Sequence, residues 1–351
     1  MPLFDGISST TVTTQKLKVN VLVRDGDPAE GPAIVLIHGN VSSALFWQEL
    51  MLALPKDGRV FAIDLRGFGG TETKPVDATR GVKDFSDDVF ATVSALGLTE
   101  VHLVGWSMGG GVVLQYALEH PVASITLESP VSPYGFGGTR LDGSRLTDDD
   151  AGTGGGGANP EFVASIAAQD AGADNPMGSR AVYASSYVAP GFESPHVDTW
   201  VESMLTTAIG DGNYPGDSRV SESWPGFAAG EHGVLNTMTP RYFNVSGIVD
   251  LPAKPPILWV RGAQDAIVSD ATYFDINYLG QAGVIPGWPG EDVAPAQPMV
   301  SQTRAVLDRY RANGGSYREL VFENCGHSPH LEHADEFRAA LLENIGGANS
   351  V

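Results

Sequence analysis

The six residues GWSMGG, positions 105–110, set one serine between glycines two places before it and two places after it, directly behind the apolar run VHLV at 101–104. A chain that leaves a buried strand and enters a helix within so few residues has little room for Cβ atoms, and the residue at the apex of the turn is lifted clear of the sheet. Read in this way, Ser107 is presented as a nucleophile. The competing reading is chance, because the chain holds 43 glycines. The sequence on either side decides between the two.

Towards the N-terminus, LKVNVLVRDG (17–26) alternates with period two and closes on a turn signal, which predicts an early antiparallel strand. AIVLIHG (33–39) and RVFAIDLRG (59–67) are apolar at successive positions, as strands buried on both faces are, and residues 46–54 between them have helical spacing. Residues 84–96 predict a second helix with Phe85, Val89, Val93 and Leu96 on one face. Beyond the serine come a helix over 108–119, stopped by Pro121, and the strand SITLES (124–129). From 130 to 252 the rhythm breaks into Gly, Pro, Ser and aromatics, and GTGGGG (152–157) reads as a hinge, a mobile tip or a disordered surface loop. The rhythm returns with PPILWVRGAQD (255–265), a helix over 302–312, the strand YRELVFENCGH (317–327) and a last helix over 334–345. Residues 269–299 carry few regular signals and read as a long ordered loop. The expected fold class is α/β, a mostly parallel central sheet flanked by helices, divided into a first core part (1–130), an insertion (131–252) and a second core part (253–351).

Composition narrows the function classes. With 42% hydrophobic and 18% charged residues among 351, the chain is globular and long enough to bury a sizeable core. No apolar stretch reaches the roughly 18 residues of a membrane helix. The opening MPLFDGISST lacks the basic and apolar regions of a signal peptide, so the expected location is the cytoplasm. Cys325, the single cysteine, can form neither an internal disulfide nor a multi-cysteine zinc site. A formal charge of −21, from 21 Lys plus Arg against 42 Asp plus Glu, repels phosphate backbones and anionic headgroups. Nucleic acid and membrane are therefore not expected partners, and the plainer reading is an acidic, soluble surface. The sequence is silent on oligomeric state.

Acyl transfer by a serine needs a base to take its proton, an acid to orient that base, and N–H donors for the developing oxyanion. Each has a candidate at a strand end: Ser107 after VHLVG, Asp265 in RGAQDAIV, and His327 in NCGHSPH. The chain order Ser, Asp, His suits groups at the carboxyl edge of such a sheet.

With HGN (38–40), DLRGFGGT (64–71), GWSMGG, RGAQDAIV (261–268) and CGHSPH (325–330) together, the sequence resembles the α/β-hydrolase superfamily. The resemblance covers 17–131 and 255–345. It implies Ser107 as nucleophile, His327 as general base and then acid, and Asp265 as the acid that fixes the His327 tautomer. It also implies an oxyanion hole from the backbone N–H groups of Asn40 and Met108, and a cap formed by the insertion. No metal and no cofactor are implied, and the substrate is a small molecule. The elbow is closer to carboxylesterases and cofactor-free perhydrolases than to proline iminopeptidases. In relatives resembling haloalkane dehalogenases the acid follows the strand after the nucleophile helix, which makes Glu128 the alternative acid. Those relatives use an aspartate where this chain has Ser107, so dehalogenase and epoxide hydrolase activities are not expected.

The leading expectation is a serine hydrolase acting on a carboxylic ester or lactone, with a C–C bond hydrolase, a perhydrolase or a non-catalytic ligand-binding protein as alternatives. Asp64 and Arg66 are expected to stabilise a core turn, and His38 to shape the oxyanion loop. His330 and His333 are expected to be helix-start and surface residues, without zinc spacing. Cys325 is expected to be inert. The aromatics Tyr134, Phe136, Phe162, Tyr183, Tyr187, Trp200, Tyr214, Trp224, Tyr242 and Phe243 are expected either to line an apolar pocket or to form the insertion's own small core.

Overall fold

The computed structural model describes residues 2–348. In chain order the first elements are β1 (Ile7–Thr13), β2 (Lys18–Arg24), β3 (Ala33–Ile37), α1 (Gln48–Ala53), β4 (Arg59–Ile63), α2 (Lys83–Ala95), β5 (Val101–Trp106), α3 (Met108–Glu119) and β6 (Ser124–Glu128). The next stretch holds α4 (Pro160–Ala167), α5 (Ser179–Val182), α6 (Val197–Leu205) and a small hairpin of β7 (Ser218–Val220) and β8 (Phe227–Ala229). The chain then runs through β9 (Ile257–Gly262), α7 (Ile276–Gln281), α8 (Met299–Ala312), β10 (Tyr317–Phe322), α9 (Pro329–Glu332) and α10 (Ala334–Ala348).

Eight strands form one sheet in the order β1-β2-β4-β3-β5-β6-β9-β10. β1 and β2 are antiparallel to their neighbours, and every pairing from β4 to β10 is parallel. This is the α/β-hydrolase fold. Every residue of β3, β5 and β6 is buried, which is why β3 and most of β5 are apolar without alternation, whereas β6 (SITLE) buries its polar Ser124, Thr126 and Glu128 as well. The chain passes from β3 to β4 on one side and to β5 on the other, so the sheet has its topological switch point where β3 and β5 lie side by side, Ile37 against Gly105. Loops leaving the carboxyl ends of two such strands diverge and leave a crevice. The residues after β3 are HGN, and the residue after β5 is Ser107.

Two strand ends differ from the sequence expectation. β1 was not anticipated, because ISSTTVT is polar and mostly exposed; its β-branched residues make an edge strand against β2 rather than a buried one. β10 stops at Phe322, where its partner β9 runs out at Gly262, so residues 323–327 are a turn rather than a strand. The expected loop over 269–299 contains α7.

GTGGGG is neither a hinge tip nor an open loop. Gly155–Gly157 forms a 3₁₀ turn, Gly155 and Thr153 are buried, and the Gly155 N–H donates to Asn236 Oδ1 at 2.9 Å. Gly154 has φ +78 and lies so close to Asn236 that a Cβ there would sit 2.1 Å from Oδ1, so the glycines serve close packing.

The aromatics of the insertion follow neither expected pattern alone. Tyr183, Tyr187 and Trp200 are buried against Phe46 of the first core part, with Trp200 stacked on Phe46 at 5.1 Å between ring centroids. They dock the segment between β6 and β9 onto the residues that follow β3. A second joint is polar. Gln302 Nε2 donates to Thr139 Oγ1 at 2.9 Å, Ser132 Oγ bonds Gln302 Oε1 at 2.5 Å, and Gln297 Nε2 reaches the same oxygen at 2.7 Å.

Asp150, in the insertion, is buried with φ +58 and faces Arg145 Nη1 at 3.2 Å. Burial pushes its carboxyl from 3.8 up to about 6, with Arg145 opposing. A carboxyl whose native pKa exceeds its unfolded value binds its proton more tightly in the native state, so stability falls as pH rises from about 4 to about 6. Asp150→Asn removes that charge and suits a left-handed position. Its stability gain over wild type in urea unfolding is expected to be larger at pH 8 than at pH 4 by up to about 3 kcal/mol. A gain independent of pH would show that the Asp150 charge is not what limits stability.

Candidate active site

Ser107 has φ 57 and ψ −121, a left-handed backbone that a non-glycine residue adopts only under constraint. Three backbone bonds impose it: Ser107 N–H to Glu128 O at 2.9 Å, and Gly110 N–H and Val131 N–H to Ser107 O at 2.9 and 3.0 Å. Close approach explains the flanking glycines. A Cβ at Gly105 would lie 2.3 Å from Gly109 O, and one at Gly109 would lie 2.4 Å from Ile37 O. Met108 is the first residue of α3, so its N–H has no partner within the helix, and the positive end of the helix dipole points the same way.

His327 and Asp265 meet although they follow different strands. His327 Nδ1 is 3.0 Å from Asp265 Oδ1 and 2.9 Å from Oδ2, and both side chains are buried. Asp265 is itself fixed, since its Oδ1 accepts from the N–H groups of Ile267 and Val268 at 2.8 and 2.9 Å. An ionised carboxylate only accepts, so Nδ1 carries the proton and Nε2 of the neutral ring is left as the basic nitrogen. The Trp106 indole N–H donates to His327 O at 2.7 Å, which ties the His327 backbone to the residue beside Ser107.

The loop after β3 lies directly on the serine: a Cβ at Gly39 would be 2.8 Å from Ser107 Cβ and 3.5 Å from its Oγ. His38 is buried, and its Nε2 accepts the Leu65 N–H at 3.0 Å, so Nδ1 is the donor, bonded to Gly39 O at 2.7 Å. Burial lowers its pKa from 6.5 to about 4, which keeps this tautomer neutral. Ser42 Oγ grips the same Gly39 carbonyl at 2.9 Å. Because the peptide unit is planar, holding Gly39 C=O on one side aims the Asn40 N–H to the other.

Glu128 does not reach His327 by hydrogen bond. Its Oε1 accepts the His330 N–H at 2.7 Å and lies 2.8 Å from His330 Nδ1, while His330 Nε2 faces Phe46 O at 3.2 Å. A carbonyl only accepts, so the Nε2–H is the donor towards Phe46 O. His330 sits in α9 as the sequence suggests, but it is completely buried rather than a surface residue, because Glu128 supplies the partner that burial demands. His333 is half-buried and stacks on Phe322 at 4.4 Å.

Asp64 accepts from Ala44 N–H, Asn20 Nδ2 and Gly70 N–H at 2.7, 2.8 and 2.8 Å, and Arg66 forks onto Asp88 at 2.6 and 2.8 Å. Both hold turns. Cys325 is buried, and burial pushes its thiol pKa far up, with Glu332 adding to the effect. Among the described residues no group of three or more His, Cys, Asp or Glu is placed to hold a metal ion, and no helix is long and apolar enough to cross a membrane.

The model of the alpha/beta hydrolase family matches residues 34–340. This chain belongs to that family. Among curated relatives in it, a fluoroacetate dehalogenase of Burkholderia sp. is 30% identical over 129 residues, 36% of this chain and 41% of the relative. A bifunctional esterase/perhydrolase of Acinetobacter calcoaceticus is 37% identical over 124 residues, 34% of this chain and 44% of the relative. The chain thus spans less than half the length of these curated relatives. An esterase of known structure from Exiguobacterium antarcticum superposes with a TM-score of 0.58 at 18% identity, covering 97% of this chain and 100% of the other, a likeness of fold alone.

Sequence reasoning had no signal for Trp106 as the tether of His327, for Ser42 as a grip on Gly39, or for Tyr187, which it named only among the aromatics, as a partner of the Asn40 carbonyl. The Trp106 and Tyr187 contacts join residues far apart in the chain, and the Ser42 contact, though local, depends on the turn that the chain makes after β3.

Proposed function

We propose that this chain is a serine hydrolase cleaving a carboxylic ester or lactone of a small, apolar molecule through an acyl-enzyme. The observation that carries the reading is the buried Asp265–His327 pair standing at the same sheet edge as the constrained Ser107. In this reading His327 Nε2 takes the Ser107 Oγ proton as Oγ attacks the ester carbonyl. The tetrahedral oxyanion accepts from the N–H groups of Asn40 and Met108, in a site where fixed donors are worth more than in water. Collapse expels the alcohol, which takes the proton from His327. Water, deprotonated by the same nitrogen, then attacks the acyl carbonyl and releases the acid. Asp265 holds the tautomer and stabilises the imidazolium throughout. Residues 131–252 act as a cap over this edge. The net charge of −21 disfavours anionic substrates.

A second reading draws on the relative named an esterase/perhydrolase. On the same acyl-enzyme hydrogen peroxide would attack the acyl carbonyl in place of water, losing a proton to His327, and the Ser107 Oγ–acyl bond would break to release a peracid as Oγ regains that proton.

A panel of p-nitrophenyl esters from acetate to decanoate tests the first reading. Saturable hydrolysis with one preferred chain length is expected. Absence of turnover on every ester, together with no labelling of the wild type by a fluorophosphonate, would sink it.

A further inference from the structure

Tyr187 stands 147 residues after Asn40, at the end of a π-helical turn, Tyr183–Tyr187. Its Oη lies 3.0 Å from Asn40 O and 3.0 Å from Val41 O. The phenol has one hydrogen, shared between the two carbonyls, and burial raises its pKa so that it remains a donor. Val41 is buried with φ +46, a conformation that a β-branched residue holds only where its surroundings enforce it. The carbonyls on both sides of the Asn40 Cα are therefore gripped: Gly39 O by His38 and Ser42, and Asn40 O by Tyr187. With both peptide planes held, the Asn40 N–H has one direction.

The two residues after Tyr187 reach the other catalytic loop. The Ala189 N–H donates to Glu332 Oε2 at 2.7 Å, and the same carboxylate accepts from the N–H groups of Gly326, at 2.9 Å, and Ser328, at 3.3 Å, on either side of His327. Gly326 packs on this strap so closely that a Cβ would lie 2.5 Å from Val188 C and 2.6 Å from Ala189 N. The Tyr187 ring also lies edge-on to His327, 6.2 Å between centroids.

We propose that the strap of Tyr187, Val188 and Ala189 belongs to the catalytic frame, with Tyr187 a positioning residue that aims the Asn40 N–H at the oxyanion and, through Glu332, sets its distance from His327. The proposal rests on the serine hydrolase reading. It makes this part of the insertion a fixed strut rather than a freely swinging lid.

Tyr187→Phe keeps the ring and removes only the donor. The expected result is a fall in kcat of about ten- to a hundredfold with KM changed less than about threefold, since misaimed donors weaken the transition state and not ground-state binding. A trifluoromethyl ketone, which forms an oxyanion when Ser107 adds to it, should lose affinity by the same factor as kcat/KM. A purely structural role would lower the melting temperature and leave kcat and the ketone affinity at wild-type values, and that result overturns the proposal. If Tyr187→Phe fails to fold, Glu332→Gln is read by the same two ratios and must show the same parallel loss. Wild type that a fluorophosphonate does not label removes the underlying reading and the proposal with it. Wild type that is labelled, beside a Tyr187→Phe variant of unchanged kcat and ketone affinity, removes the proposal alone.

Discussion

Ser107→Ala is expected to lower kcat on the best p-nitrophenyl ester by roughly 10⁴- to 10⁶-fold and to abolish fluorophosphonate labelling, read as the loss of the mass adduct. The fold should survive. The Ser107 hydroxyl makes no cap bond to α3, and the turn is held by backbone bonds to Glu128, Gly110 and Val131 that alanine retains. A melting temperature close to wild type would accordingly separate lost chemistry from lost structure. Residual hydrolysis at wild-type rate would mean that another group attacks the ester, and the serine reading would have to be abandoned.

Asp265→Asn should cost about 10⁴ in kcat. The amide can present an N–H where the carboxylate accepted one, so the imidazole is driven towards the tautomer with its proton on Nε2, which cannot accept from Ser107. The bonds from Ile267 and Val268 to Oδ1 keep the side chain in place, so geometry is largely retained. Glu128→Gln makes the contrast. It disturbs the pair with His330 and not the pair with His327, and the amide oxygen can still accept the His330 N–H. Activity within about tenfold of wild type is expected, with a stability loss of about 1–3 kcal/mol from weakening a fully buried bond. Parallel kcat and urea-unfolding measurements on the two variants check this. Orders of magnitude lost in Glu128→Gln, with Asp265→Asn nearly intact, would reverse the assignment of the acid.

The two carboxylates show how far the sequence could be read. Asp265 follows a buried strand and Glu128 ends one, both precede turns, and either spacing is compatible with a histidine after the last strand. Strand positions were legible because burial on both faces leaves an apolar run at β3, β5 and β9, whatever lies beside them. The polar edge strand β1 was not, since nothing in its composition distinguishes pairing from exposure. Likewise GTGGGG reads as loose chain, and only Asn236 and the neighbouring backbone make it a packed turn.

The sequence by itself determined the parallel sheet, the sharp turn at Ser107, and the set of polar residues delivered to strand ends, because each depends on sterics and burial within a few residues. Tertiary structure decided which of the possible partners meet. Asp265 finds His327 across 62 residues, Glu128 finds His330 across 202, and Tyr187 finds Asn40 across 147. Such pairings follow from strand order and from where the insertion docks. Periodicity along the chain records which face of an element is buried, and carries no information about what lies on the other side of that contact.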